Sequence, residues 1–200
     1  MGERTPRPPA AEGTPGAWAR ALAHEVGNRL AAIGLFSHLL VEGDAQEPAS
    51  VGRDVETLAL EAGALLAQLG FLLGATPCEP GVVAVPQLFD AVERELSGRA
   101  ARLHCEVPPD ALSAIQVEGE LLHHVLLTLL YGALEATRPT GSVTLRARQA
   151  GSEVLVEVED DGRAPDAKEL ALDPPRGGRE LGLRIADRVL QRADGSVEVH

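Results

Sequence analysis

The sequence predicts an α+β protein in two parts, a helical hairpin followed by an α/β sandwich, and three observations carry that expectation. Two long early segments repeat apolar residues at helical spacing. The texture changes after the turn-rich residues 75–81 (ATPCEPG), and two later segments alternate apolar and polar side chains as half-buried strands do.

Residues 1–15 are rich in Pro, Gly and charge, with no large apolar residue after Met1, so they predict a disordered tail. Residues 16–76 form the predicted hairpin domain. From about Ala17 to Glu42, Leu22, Val26, Leu30, Ile33, Phe36 and Leu40 stripe one face of a helix, and Gly43-Asp44 punctuates it. From Pro48 or Ala49 to Gly74, Val51, Val55, Leu58, Ala62, Leu65, Leu69 and Leu72 alternate steps of four and three, which is a heptad seam. Two helices of roughly 38 Å joined by a short loop make an antiparallel hairpin. A lone hairpin buries too little, so a second copy is expected to close the seam as a twofold four-helix bundle. The alternative is packing on the rest of the same chain.

Residues 80–200 mix helix and strand. A helix is expected from about Val85 to Ala100, a strand at LHCEV, and a helix from Glu120 to Ala136. Strands near 142–148 and 153–159 flank a Gly-Ser turn, and a helix from about Leu181 to Arg192 leads through Asp194-Gly195 into SVEVH. Helices on one face of a mostly antiparallel sheet follow from this order.

Composition narrows the function. Eighteen basic against 30 acidic residues give a net charge of −12, which repels nucleic acid and anionic lipid and favours a protein partner or a small ligand. Cys78 and Cys105 stand alone, without the companions of a zinc site or a disulfide framework. No apolar run approaches the roughly 18 to 20 residues of a membrane span, and no signal-peptide core opens the chain, so a cytoplasmic protein is expected.

His24, Glu25 and Asn28 are the polar members of AHEVGNRLAAI. His24 and Asn28 share a face turned away from Leu22, Val26 and Leu30. An exposed neutral imidazole is a nucleophile toward phosphorus, an adjacent carboxylate such as Glu25 can orient it, and the Asn28 amide can position a phosphoryl oxygen. On spacing alone, a solvated polar face explains the same residues.

AHEVGNRLAAI resembles the H-box of histidine kinases. Downstream, ELLHHVLLTLLYGALEA resembles the N-box, VEVEDDGRAP the first glycine box and GGRELGLRIADRVLQRADGSVEV the second, in the family's order. The resemblance implies a dimerisation and phosphotransfer hairpin at 16–76. It also implies a Bergerat-type, GHKL sandwich at 80–200 in which Asp160, Gly162, Gly178 and Gly182 mark the nucleotide site.

The departures fall on that site. Thr128 and Gly132 stand where the family has two asparagines, and the second would hold the Mg²⁺ that bridges ATP phosphates. Ala164 replaces a glycine. The second box reads Gly178-Arg179-Glu180-Leu181-Gly182-Leu183, placing the Glu180 carboxylate where backbone N–H groups should cradle phosphate. Like charges 4 Å apart repel by about 4 kcal/mol at a surface-like dielectric. Residues 166–177 are short for an ATP lid, and His200 is reached before the family's final strand. In the H-box, Gly27 and Arg29 replace Arg and Pro, and losing Pro should straighten the helix.

The resemblance therefore implies a histidine phosphotransferase of a two-component phosphorelay, moving phosphate between response-regulator aspartates through His24. ATP binding is not expected, Mg²⁺ comes with the receiver, and the partners are a second copy, receiver domains and an upstream histidine kinase. Two other functions fit the same residues: a divergent kinase that still uses ATP, and a non-enzymatic module that binds receivers or kinases. Adjacent His123 and His124 point about 100° apart on a helix, which does not suit a shared metal. His38 and His104 lack companions at ligand spacing, Arg94, Arg99 and Arg102 read as a solvated face, and Lys168 as the only lysine reads as base composition.

Overall fold

Helix α1 (Pro15–Glu42) and helix α2 (Pro48–Leu72) form the hairpin. Each opens on a proline, which is tolerated there because the first-turn N–H has no intrahelical partner. Gly43 stops α1 with a left-handed φ of 75°. The computed structural model describes residues 15–43, 47–72, 81–96, 102–106, 115–138, 140–151 and 153–200. Expectations for residues 1–14, Asp44, Cys78 and Arg99 lie outside the described residues, while Pro15 already belongs to α1. No described helix is long and apolar enough to cross a membrane.

With Arg29 in place of proline, α1 runs unbroken through Gly27 and Gly34. A Cβ at Gly34 would meet nothing within 4 Å. Gly34→Ala is therefore expected to stabilise the protein by about 1 kcal/mol through helix propensity. Thermal unfolding should rise by about 2–4 °C; a lowered midpoint would mean that position 34 needs the freedom of glycine.

The second part runs β1 (Gly81–Val83), α3 (Val85–Glu95), β2 (Leu103–Glu106), β3 (Ile115–Val117), α4 (Gly119–Ala136), β4 (Val143–Ala150), β5 (Glu153–Asp160), α5 (Ala167–Leu170) and α6 (Gly178–Gln191). The main sheet has the order β2-β4-β5. β4 and β5 form the expected antiparallel hairpin, Val143 opposite Asp160 and Ala150 opposite Glu153. β2 lies parallel to β4, Leu103 opposite Val143, so the sheet is mixed rather than mostly antiparallel. β1 and β3 pair as a separate antiparallel ribbon. Val143, Leu145 and Ala147 are buried while the residues between them are not, as the period of two requires. They meet Phe89 and Val92 of α3 and Leu126, Leu127, Leu130 and Leu134 of α4.

Two expected boundaries move: α3 ends at Glu95 rather than near Ala100, and α6 begins at Gly178 rather than near Leu181.

A second core joins the two parts. Trp18, Leu22 and Val26 of α1 and Ala62 and Leu65 of α2 pack with Leu121 and Val125 of α4 and with Leu181, Ile185, Ala186 and Val189 of α6. Over this stretch the hairpin seam is closed by its own chain, where a second copy was expected. The physical reason is that α4 and α6 each carry an apolar stripe beyond the one they give to the sandwich. Elsewhere the hairpin leaves Leu30, Leu35, Val41 and Leu66 exposed.

Candidate functional site

α1 presents His24 and Asn28 to solvent one turn apart, with Leu22 and Val26 turned inward. His24 makes no side-chain hydrogen bond or ion pair among the described residues. Glu25, about 100° further round the helix, faces the sandwich and is buried to 8% exposure. Its Oε1 accepts a hydrogen bond from Arg29, and its Oε2 accepts the Gly178 backbone N–H at 3.3 Å. No bond runs from Glu25 to His24, so the expected orienting contact is absent from this arrangement. Arg29 Nε also donates to Oε2 of Glu61 on α2 at 3.1 Å, and Glu61 is itself buried. Burial works against the Arg29 charge, but the Glu25 hydrogen bond and the charges of Glu61, Glu25 and Glu135 outweigh it and raise the guanidinium pKa.

Asp160 ends β5. Its Oδ1 accepts the Gly162 N–H at 3.0 Å, while its Oδ2 is taken by the guanidinium of Arg179. The same guanidinium donates to the Arg163 carbonyl at 2.8 Å. The stem of Arg179 crosses Gly132, where a Cβ would lie 3.1 Å from Arg179 Cγ. Thr128, at the other N-box position, accepts a hydrogen bond from the fully buried Gln68 of α2. Between Thr128, Gly132, Val158, Arg179 and Leu183 a cleft of about 50 Å³ remains, against roughly 300–1,000 Å³ for a typical small-molecule site.

The surviving glycines have packing reasons of their own. A Cβ on Gly162 would fall 2.5 Å from the Ala136 carbonyl oxygen, and one on Gly182 would fall 3.0 Å from Thr128 Cγ2. Gly178 adopts φ 64°, which favours glycine. Glu180 does not sit on the Gly178 N–H. Its Oε1 accepts the Asp166 N–H at 2.8 Å, and the carboxylate at the α6 N-terminus is that of Glu25.

Other flagged residues have structural employment. His123 Nε2 pairs with Glu95 at 2.8 Å between α4 and α3, and burial, then the His123 charge, lowers the His124 pKa. Arg102 donates to the Leu134 and Arg138 carbonyls at the end of α4, both at 2.8 Å, and Arg94 bonds the Asp90 carbonyl. Burial, then the charges of Glu93 and Asp90, pushes the Cys105 thiol up to about 11, which keeps it protonated at neutral pH. Arg179, Gln68 and the Arg29–Glu61 pair are the site residues that sequence reasoning missed. A long cation inside a glycine box and a lone glutamine within a heptad run were the available signals.

A hairpin displaying a histidine, followed by a sandwich that retains the glycine-box positions, defines a histidine-kinase-like architecture. Residues 118–200 match the family described as histidine kinase-, DNA gyrase B-, and HSP90-like ATPase. The chain is similar to sensor protein TorS of Escherichia coli, 34% identical over 110 residues that make up 51% of this chain and 12% of TorS. Three solved structures share the fold. Histidine kinase AdeS of Acinetobacter baumannii has a TM-score of 0.59 at 14% identity, covering 88% of this chain and 89% of AdeS. A bacterial phosphotransferase gives 0.52 at 15%, covering 93% and 90%. Histidine kinase ThkA, solved in complex with response regulator protein TrrA, gives 0.57 at 18%, covering 90% and 55%. The chain spans only a small part of the length of the curated relatives it matches. Residues 118–200 thus carry the match to that ATPase family, and the chain is similar to sensor histidine kinases over about half its length.

Proposed function

We propose that this protein is a histidine phosphotransferase that passes a phosphoryl group between the aspartates of two receiver domains through His24. The observation that carries the reading is the contrast between an exposed His24 and a nucleotide cradle filled by the chain itself. Arg179 neutralises Asp160 and crosses Gly132, and Glu25 lies on the Gly178 N–H. These residues do not fit a magnesium nucleotide. The adenine-reading carboxylate is already paired, the magnesium-binding side chain is missing at Gly132, and a carboxylate stands where phosphate would go.

Phosphate must then come from an acyl phosphate. A ring nitrogen of neutral His24 attacks the phosphorus of an aspartyl phosphate, the N–P bond forms as the acyl P–O bond breaks, and the aspartate leaves as carboxylate. The other ring nitrogen keeps its proton until phosphate is passed on. The second aspartate reverses the step, and the imidazole returns neutral. Asn28, one turn away on the same exposed face, is placed to bond a phosphoryl oxygen. The divalent cation belongs to the receiver. The complex of ThkA with TrrA supports a receiver partner, and exposed Leu30, Leu35, Val41 and Leu66 support burial of the free hairpin face by a second copy.

Incubation with labelled MgATP, and separately with a labelled phosphorylated receiver, tests the reading. Acid-labile label is expected from the receiver only. Label from ATP alone would make the protein an autokinase, and no label from either would leave a binding module.

A further inference from the structure

We propose that the second glycine box has become an internal dock for the hairpin, in which the Glu25 carboxylate takes the place of a nucleotide phosphate and locks hairpin and sandwich in one orientation. This goes beyond the phosphotransfer reading and does not depend on it.

Helix α6 is 14 residues long and opens at Gly178, so its first N–H groups and its dipole favour an anion there. The anion present is Glu25. Its Oε2 is 3.3 Å from the Gly178 nitrogen and would lie 2.7 Å from a Cβ built on Gly177, so the carboxylate rests against the bare backbone of the pair. The carboxylate is also preset. Arg29 holds its other oxygen and is itself anchored to Glu61 on α2, and both acids are at least nine-tenths buried.

Two further contacts cross the same junction. Buried Gln68 of α2 donates to Thr128 and to the His124 carbonyl of α4, the latter at 3.3 Å. The Arg188 guanidinium of α6 lies 4.6 Å above the Trp18 ring of α1, while its Nη2 reaches Asp173 at 3.1 Å. Glu25 and Thr128 thus stand at motif positions and are spent on holding the two parts together, while Arg29, at a third, braces Glu25 from within the hairpin. Because Glu25 directly follows His24, the lock also fixes how the His24 face of α1 is set against the sandwich.

Gly177→Ala is the decisive variant. The Gly177 backbone is extended, with φ 164° and ψ −166°, and accepts alanine, so only the Glu25 carboxylate opposes the new methyl. Amide hydrogen exchange of the full chain, with no phosphoryl donor present, reads the lock. Exchange at the Gly178 amide is expected to rise at least tenfold in Gly177→Ala and in Glu25→Ala, and no further in the double variant, while β4 and β5 keep their protection. Wild-type exchange in Gly177→Ala, or additive effects in the double variant, would overturn the proposal. Should β4 protection also fall in Gly177→Ala, the Glu25→Ala protein decides alone, and unchanged Gly178 exchange there overturns it. A failed phosphotransfer assay leaves these outcomes untouched, so the two readings fail separately.

Discussion

A His24→Ala protein is expected to fold normally and to lose acid-labile labelling from a phosphorylated receiver, by at least about 100-fold, to background. Both halves of that expectation rest on the exposure of His24 and its lack of side-chain partners among the described residues. Nothing is left unsatisfied when the ring is removed, and alanine is the better helix former, so stability should hold within about 0.5 kcal/mol or rise slightly. The chemistry has no such tolerance. Loss of the nucleophile removes the covalent intermediate rather than slowing a step, and Asn28, an amide, cannot replace it. Circular dichroism and a label assay on the same preparation separate the two effects. Persistent label at more than a few per cent of wild type would place the accepting group elsewhere, with His104, His123 and His200 the next side chains to test. A protein that lost both fold and label would mean that His24 supports α1.

The hairpin and its length were legible because heptads state which face of a helix is apolar, and α1 and α2 end within two residues of the expected positions. The β4–β5 hairpin was legible for the same kind of reason. β1 and β3 were not, since three residues are too few to display a period of two. What covers an apolar face was also hidden. Leu22 and Leu65 advertise a seam, but nothing local says that Leu181 and Ile185 will fill it before a second copy does. The candidate site divides in the same way. His24 and Asn28 were legible as an exposed pair and Gly132 as a lost ligand. The direction of Glu25 was not, because it depends on Gly178, 153 positions away. Sequence presents Arg29 only as a missing proline and Arg179 only as an interruption in a glycine box; the fold makes both into the cations of buried pairs.

Removing one of those cations gives the largest stability effect expected. Arg29→Ala should destabilise the protein by about 3 kcal/mol, within the roughly 3–5 kcal/mol of a broken buried ion pair. Arg29 stands between two acids, Glu25 at 8% and Glu61 at 3% exposure, and its own side chain is 15% exposed. Without it, two carboxylates share one enclosed region with no cation between them. Glu25 keeps only the Gly178 N–H, and a single neutral donor does not offset the loss of a charge-assisted bond. The surface pair Arg148–Glu157 supplies the contrast, being 3.4 Å long with both side chains more than a third exposed. Arg148→Ala should therefore cost about 0–1 kcal/mol. Urea unfolding of both variants measures the difference at constant slope. Equal costs would mean that the acids swing into water when Arg29 is gone, and that the junction is looser than its packing implies. A double variant, Arg29→Ala with Glu61→Gln, should recover part of the loss, because the remaining acid then faces an amide rather than a second charge. The coupling is what distinguishes a charge effect from the simple removal of packed side-chain atoms, which a glutamine at position 61 would not restore.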